Sequence, residues 1–112
     1  MKNGIYGIEF SALDKQGSGT IVIQDNKLNG GDFGFTFVGY LDIQNDDLTG
    51  TIIVNRWLAS ADPLIPNLDS YTLKIHGQCN KEDNTFTAKG FIEEIEQEIL
   101  IIKGKRIQDI YN

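Results

Sequence analysis

His76 and Cys79 are the only histidine and cysteine in the 112 residues, so any nucleophile and base of the thiol–imidazole kind must be built from this pair. They stand three positions apart in what reads as one strand, and strand alternation sends them to opposite faces. His76 shares its face with Thr72, Lys74 and Gln78, a solvent-facing set, whereas Cys79 falls with the apolar Tyr71, Leu73 and Ile75. No second His or Cys exists to complete a zinc site. Asp46 with Asp47, and Glu93 with Glu94, could supply an acid and a base. Adjacent strand residues diverge, however, and nothing apolar surrounds either pair to raise one pKa above the other. Gly30-Gly31-Asp32 is too short to cradle a phosphate and precedes no helix, so it reads as a turn. The chain is therefore expected not to be an enzyme, with no catalytic residues, no metal and no cofactor.

The elements that position these residues read as all-β. Short alternating runs rich in Ile, Val, Thr and aromatics are separated by Gly, Asn and Asp clusters. Eight strands are predicted: 3–10, 17–25, 27–31, 33–42, 47–58, 69–79, 84–94 and 97–107. The connections 25–26, 44–46, 80–83 and 96–97 are short, so sequential strands pair antiparallel as a meander. An eight-stranded up-and-down meander closes most simply into a small β-barrel, which removes its open edges. Gly19, Gly39, Gly50, Gly77, Gly90 and Gly104 place one glycine in each of six strands. Two readings stand: tight coiling where a missing side chain relieves crowding, or bulges and strand ends. Residues 91–103 also carry apolar residues at helical spacing, Phe91, Ile95, Ile99 and Ile102, with glutamates between. The bracketing Gly90 and Gly104 and the β-branched run at 99–102 favour two strands with a turn at Glu96-Gln97.

One connection is long. Residues 59–68 hold Pro63 and Pro66 with the apolar Leu64, Ile65 and Leu68, which require cover. A lid over one barrel mouth, with a helical turn, would supply it by filling the core. The alternative is a subunit contact with Trp57 and Leu58.

With 40% hydrophobic and 23% charged residues the chain has the composition of one globular domain, 1–112, able to bury a core without disulfides. Ten basic against sixteen acidic residues leave a net charge of −6. That balance repels phosphates and argues against direct nucleic-acid binding. The basic run Lys103-Gly104-Lys105-Arg106 reads as a solvated strand end. No stretch approaches the roughly 18 apolar residues of a membrane span, and residues 1–20 lack a signal-peptide core. A cytoplasmic protein is expected, in keeping with its single thiol.

The opening Met1-Lys2-Asn3-Gly4-Ile5-Tyr6-Gly7-Ile8-Glu9-Phe10, then Gly17-Ser18-Gly19-Thr20-Ile21-Val22, Asn29-Gly30-Gly31-Asp32, Gly39-Tyr40 and Val54-Asn55-Arg56, resemble the GrlR-like family of type III secretion negative regulators. The likeness thins after Ser70. It implies a lipocalin-like β-barrel that forms a homodimer and represses transcription by protein–protein interaction, holding a basic helix-turn-helix activator off DNA. An acidic barrel is suited to such a partner, because complementary potentials speed encounter. In the family's pattern four alternating acids after a Gly-x-Leu strand carry recognition. Here Gly39-Tyr40-Leu41 is followed by Gln44-Asn45-Asp46-Asp47, with two acids. The resemblance thus assigns partner binding to Asn45, Asp46 and Asp47, while their bare chemistry makes an ordinary hairpin turn.

A second function comes from the barrel itself, which in lipocalin-like form holds a small apolar or lipid-like ligand. Tyr6, Phe33, Phe35, Phe37, Tyr40 and Trp57 offer aromatic lining, the three phenylalanines alternating onto one face. Arg56 shares the face of Leu48, Ile52 and Val54, where it pairs with a buried carboxylate or meets an anionic head group. A chain of this length favours side chains filling the interior over an enclosed cavity.

Overall fold

In the computed structural model, which describes residues 1–111, eight antiparallel strands close into an up-and-down barrel in chain order. They are β1 (Gly4–Ala12), β2 (Lys15–Gln24), β3 (Lys27–Gly31), β4 (Phe35–Gln44), β5 (Asp47–Arg56), β6 (Ser70–Asn80), β7 (Thr85–Ile92) and β8 (Gln97–Gln108). Each pairs with the next, and β1 closes on β8, as in Ile8 opposite Gly104. The meander puts the β2–β3, β4–β5 and β6–β7 turns at one end with both termini. The other end carries the β1–β2, β3–β4 and β7–β8 turns and the long β5–β6 connection. No helix among the described residues is long and apolar enough to cross a membrane.

Alternation supplies the core. Tyr6 and Ile8, Ile21 and Ile23, Leu48, Ile52 and Val54, and Leu100 and Ile102 face inward and are buried. Gly19, Gly39, Gly50, Gly77, Gly90 and Gly104 all share that inward parity with such residues, which favours the coiling explanation. A Cβ on Gly104 would lie 2.0 Å from the Phe86 ring, and one on Gly39 would lie 2.0 Å from the Thr51 carbonyl oxygen. Among the described residues, register shifts occur only at Ile5/Tyr6 and Gly90/Phe91, so one of the six borders a bulge.

Four local expectations change. Phe33 precedes β4 rather than opening it: the Asp32 carboxylate accepts the Gly34 and Phe35 N–H groups at 3.0 and 2.9 Å, making a turn. The first hairpin is longer than expected, since Ala12 pairs with Lys15 around Leu13-Asp14. The strand expected to reach residue 94 stops at Ile92, and a 3-10 turn, Glu93–Ile95, leads through Glu96 at φ 52° into β8. Glu94 pins this turn by accepting the Thr72 N–H at 2.8 Å. The long connection has no helical turn, but it covers the mouth with buried Ala61 and Ile65.

Candidate functional site

At the turn end, Asn45 takes φ 58° and lets β4 reverse into β5 in two residues, Asn45-Asp46. The Asp46 carbonyl accepts the Cys79 N–H at 2.9 Å, and Asp47 stands opposite Gln78 on β6. The Asp46 and Asp47 side chains are exposed and make no hydrogen bond or ion pair among the described residues. Free carboxylates on a hydrogen-bonded turn can meet a cation without first breaking a contact. Asn45, Asp46 and Asp47 are therefore together and accessible.

Strand order adds neighbours that linear spacing hides. Asp46 and Glu82 line one surface groove between the β4–β5 and β6–β7 turns, and Asp83 in the second turn accepts the Thr85 hydroxyl at 2.7 Å. Glu82 and Asp83 carry no motif. The signal for them was topological, because alternate turns of a closed meander share one end.

The seven residues expected to line a ligand pocket separate. Tyr6 is fully buried near the turn end, donates its hydroxyl to the Lys2 carbonyl at 2.6 Å and packs on Phe86, with ring centroids 6.2 Å apart. Burial raises its pKa. Phe35 and Phe37 do point inward, with Phe37 edge-on to Phe10 at 6.1 Å. Tyr40 and Trp57 lie outside the barrel at 57% and 59% exposure, Tyr40 by strand parity and Trp57 because β5 ends at Arg56. Phe33, at 73% exposure, breaks the expected three-phenylalanine face. Arg56 is engaged by the lid: Nη2 lies 3.0 Å from the Asp69 carboxylate and Nη1 donates to the Ala61 carbonyl at 3.1 Å. Its carboxylate partner is exposed rather than buried.

The interior retains a cavity of only about 50 Å³, lined by apolar side chains such as Ile21, Leu73 and Ile102. That is far below the roughly 300 Å³ at which small-molecule sites begin. At the lid end a separate cleft of about 530 Å³ opens between the lid, the β1–β2 hairpin and Asp32–Phe33.

The chemistry-bearing singletons stay apart. His76 is exposed against Glu98, and Cys79 is buried on the opposite face. Lys103 and Lys105 point outward, while Arg106 turns toward the termini, donating to the Asn3 carbonyl at 2.9 Å.

A family model described as "T3SS negative regulator, GrlR" matches residues 1–110. The match extends the likeness well beyond Ser70, through β6, β7 and β8. No curated protein matches the chain at a significant level.

Proposed function

Given that the chain belongs to the GrlR family of type III secretion system negative regulators, we propose that it represses by direct contact, capturing a basic helix-turn-helix transcriptional activator in the cytoplasm through Asn45, Asp46 and Asp47. The observation that carries this reading is the pair of partner-free carboxylates on the β4–β5 turn, whose backbone is hydrogen-bonded to β6. A net charge of −6 steers a cationic DNA-binding protein toward the barrel and penalises DNA itself. Capture then removes the activator from its promoter, and no catalytic step is required.

The repressor acts as a homodimer. The support for its dimer face is a neutral stretch of outer wall on β4 and β5: Val38 stands opposite Ile53, Tyr40 opposite Thr51 and Thr36 opposite Asn55. Two copies of an acidic chain repel over most of their surfaces. This stretch carries no carboxylate, is flanked by Lys27 and Lys74, and exposes Val38, Tyr40 and Ile53, so two copies can meet there with little repulsion and bury apolar surface.

The test is affinity capture from the lysate of the bacterium that carries the protein, followed by native mass spectrometry. Retention of a basic DNA-binding protein in fixed stoichiometry is expected with the wild type. A bait that retains none would overturn the reading.

A further inference from the structure

We infer that the cleft at the lid end binds a small neutral molecule with an apolar body and one carbonyl-type hydrogen-bond acceptor. This site is independent of the regulator reading and lies at the barrel end opposite the acidic turns.

Space rules out the interior, and lining singles out this cleft, because the other surface grooves of about 490, 600 and 540 Å³ carry no buried tyrosine. The interior offers about 50 Å³ and the cleft about 530 Å³, and only the second falls within the roughly 300–1,000 Å³ of ligand sites. The apolar body would rest on Phe10, Phe35, Phe37 and Leu64. Leu64 and Phe37 also line the interior cavity, so a ligand in the cleft covers the barrel's own apolar filling.

Tyr71 supplies the polar recognition. The residue is only 5% exposed, it lines both spaces, and its hydroxyl has no hydrogen-bond partner among the described residues. No unpartnered side-chain oxygen or nitrogen is sealed off from open space, so this hydroxyl reaches the void that the ring lines. The ring is buried while the hydroxyl keeps access to the cleft, so a carbonyl-type acceptor lying there can take its hydrogen bond in place of solvent.

Charge selects the acceptor. Burial, and secondarily Asp32, push the Tyr71 pKa up to about 12, which keeps the phenol a neutral donor at physiological pH. Asp32 and Asp62 line the same cleft and oppose a carboxylate or phosphate head. The one cation there, Lys15, already donates to the Pro63 carbonyl at 3.3 Å, linking the hairpin to the lid. A ketone, ester or amide oxygen meets Tyr71 without an electrostatic penalty.

The experiment is a fluorescence titration with prodan, a neutral naphthyl ketone whose emission moves to the blue on leaving water, against an anionic anilinonaphthalene sulfonate. The expected result is saturable, blue-shifted prodan binding, at least tenfold tighter than the sulfonate. Tyr71→Phe should weaken prodan about fivefold, the scale of one neutral hydrogen bond. Leu64→Trp, which fills the cleft from the lid and leaves the sheet untouched, should abolish binding and covers the case in which the Tyr71 variant is poorly folded. Absence of saturable prodan binding overturns the inference, as does wild-type affinity in either folded variant or tighter binding of the sulfonate.

Discussion

The main-chain carbonyl of Asp46 accepts the N–H of Cys79 at 2.9 Å, which joins the β4–β5 turn to β6 without help from either side chain. Recognition and architecture are thereby separable at this turn. Asp46→Ala with Asp47→Ala should leave unfolding free energy within about 0.5 kcal/mol of wild type, as for other contact-free surface positions. Partner capture should fall at least tenfold, or about 1.4 kcal/mol, with a shallower salt dependence. Thermal melts and capture from lysate read the two quantities separately. Undiminished capture would remove the assignment of this turn.

Val38 and Ile53 face each other across β4 and β5 on the outer wall. Val38→Glu places a carboxylate in the middle of the neutral face and, in a symmetric dimer, brings two copies of it near each other. Dissociation should increase at least tenfold by sedimentation equilibrium, with the monomer still folded because the position is exposed. A variant that stays as dimeric as wild type would move the interface elsewhere.

Gly104 leaves room for the Phe86 ring, which a Cβ at that position would approach to 2.0 Å, whereas a Cβ on Gly7 would have Ile107 no nearer than 3.8 Å. Neither glycine has a positive φ, so alanine meets no backbone strain at either site. Gly104→Ala should cost about 1–3 kcal/mol by forcing Phe86 aside. Gly7→Ala should be neutral or stabilise by up to about 1 kcal/mol, through reduced freedom of the unfolded chain. Urea unfolding of the pair measures the contrast, and equal effects would contradict the packing explanation.

Tyr71 ties stability to alkaline pH. Its pKa is raised from 10.0 to about 12, so between these values the folded protein holds a proton that the unfolded chain has released. The contribution is complete below pH 10 and is lost as pH rises through about 12. Its size is on the order of 2–3 kcal/mol. Tyr6, also raised by burial, acts in the same direction. The wild type should therefore lose stability over this window faster than Tyr71→Phe in paired urea titrations. Parallel pH profiles would show that Tyr71 ionises freely.

Much of the fold is a local matter, and so it is legible in the chain. Leu48, Ile52 and Val54 declare one face of a strand by period two, and Asp25-Asn26, both at positive φ, declare a two-residue turn. Repeated through eight strands, these signals leave a closed meander as the arrangement without free edges. The same alternation puts Tyr40 outside, opposite in parity to Phe37 and Leu41, against the expectation from its aromatic ring that it lines the interior. Asn45, Asp46 and Asp47 were accessible to sequence because hairpin tips are exposed wherever the barrel forms.

Tertiary structure alone decided the rest. Phe33 lost its inward place to a side-chain turn made by Asp32, and Arg56 acquired the lid because Asp69 and Ala61 return to it across a long connection. Glu82 came beside Asp46 only through the pairing of β5 with β6. The size of the interior, the cleft beneath Leu64 and the free hydroxyl of Tyr71 follow from closure itself. Alternation specifies which face a side chain takes, whereas the space left between faces depends on how every strand packs against the others.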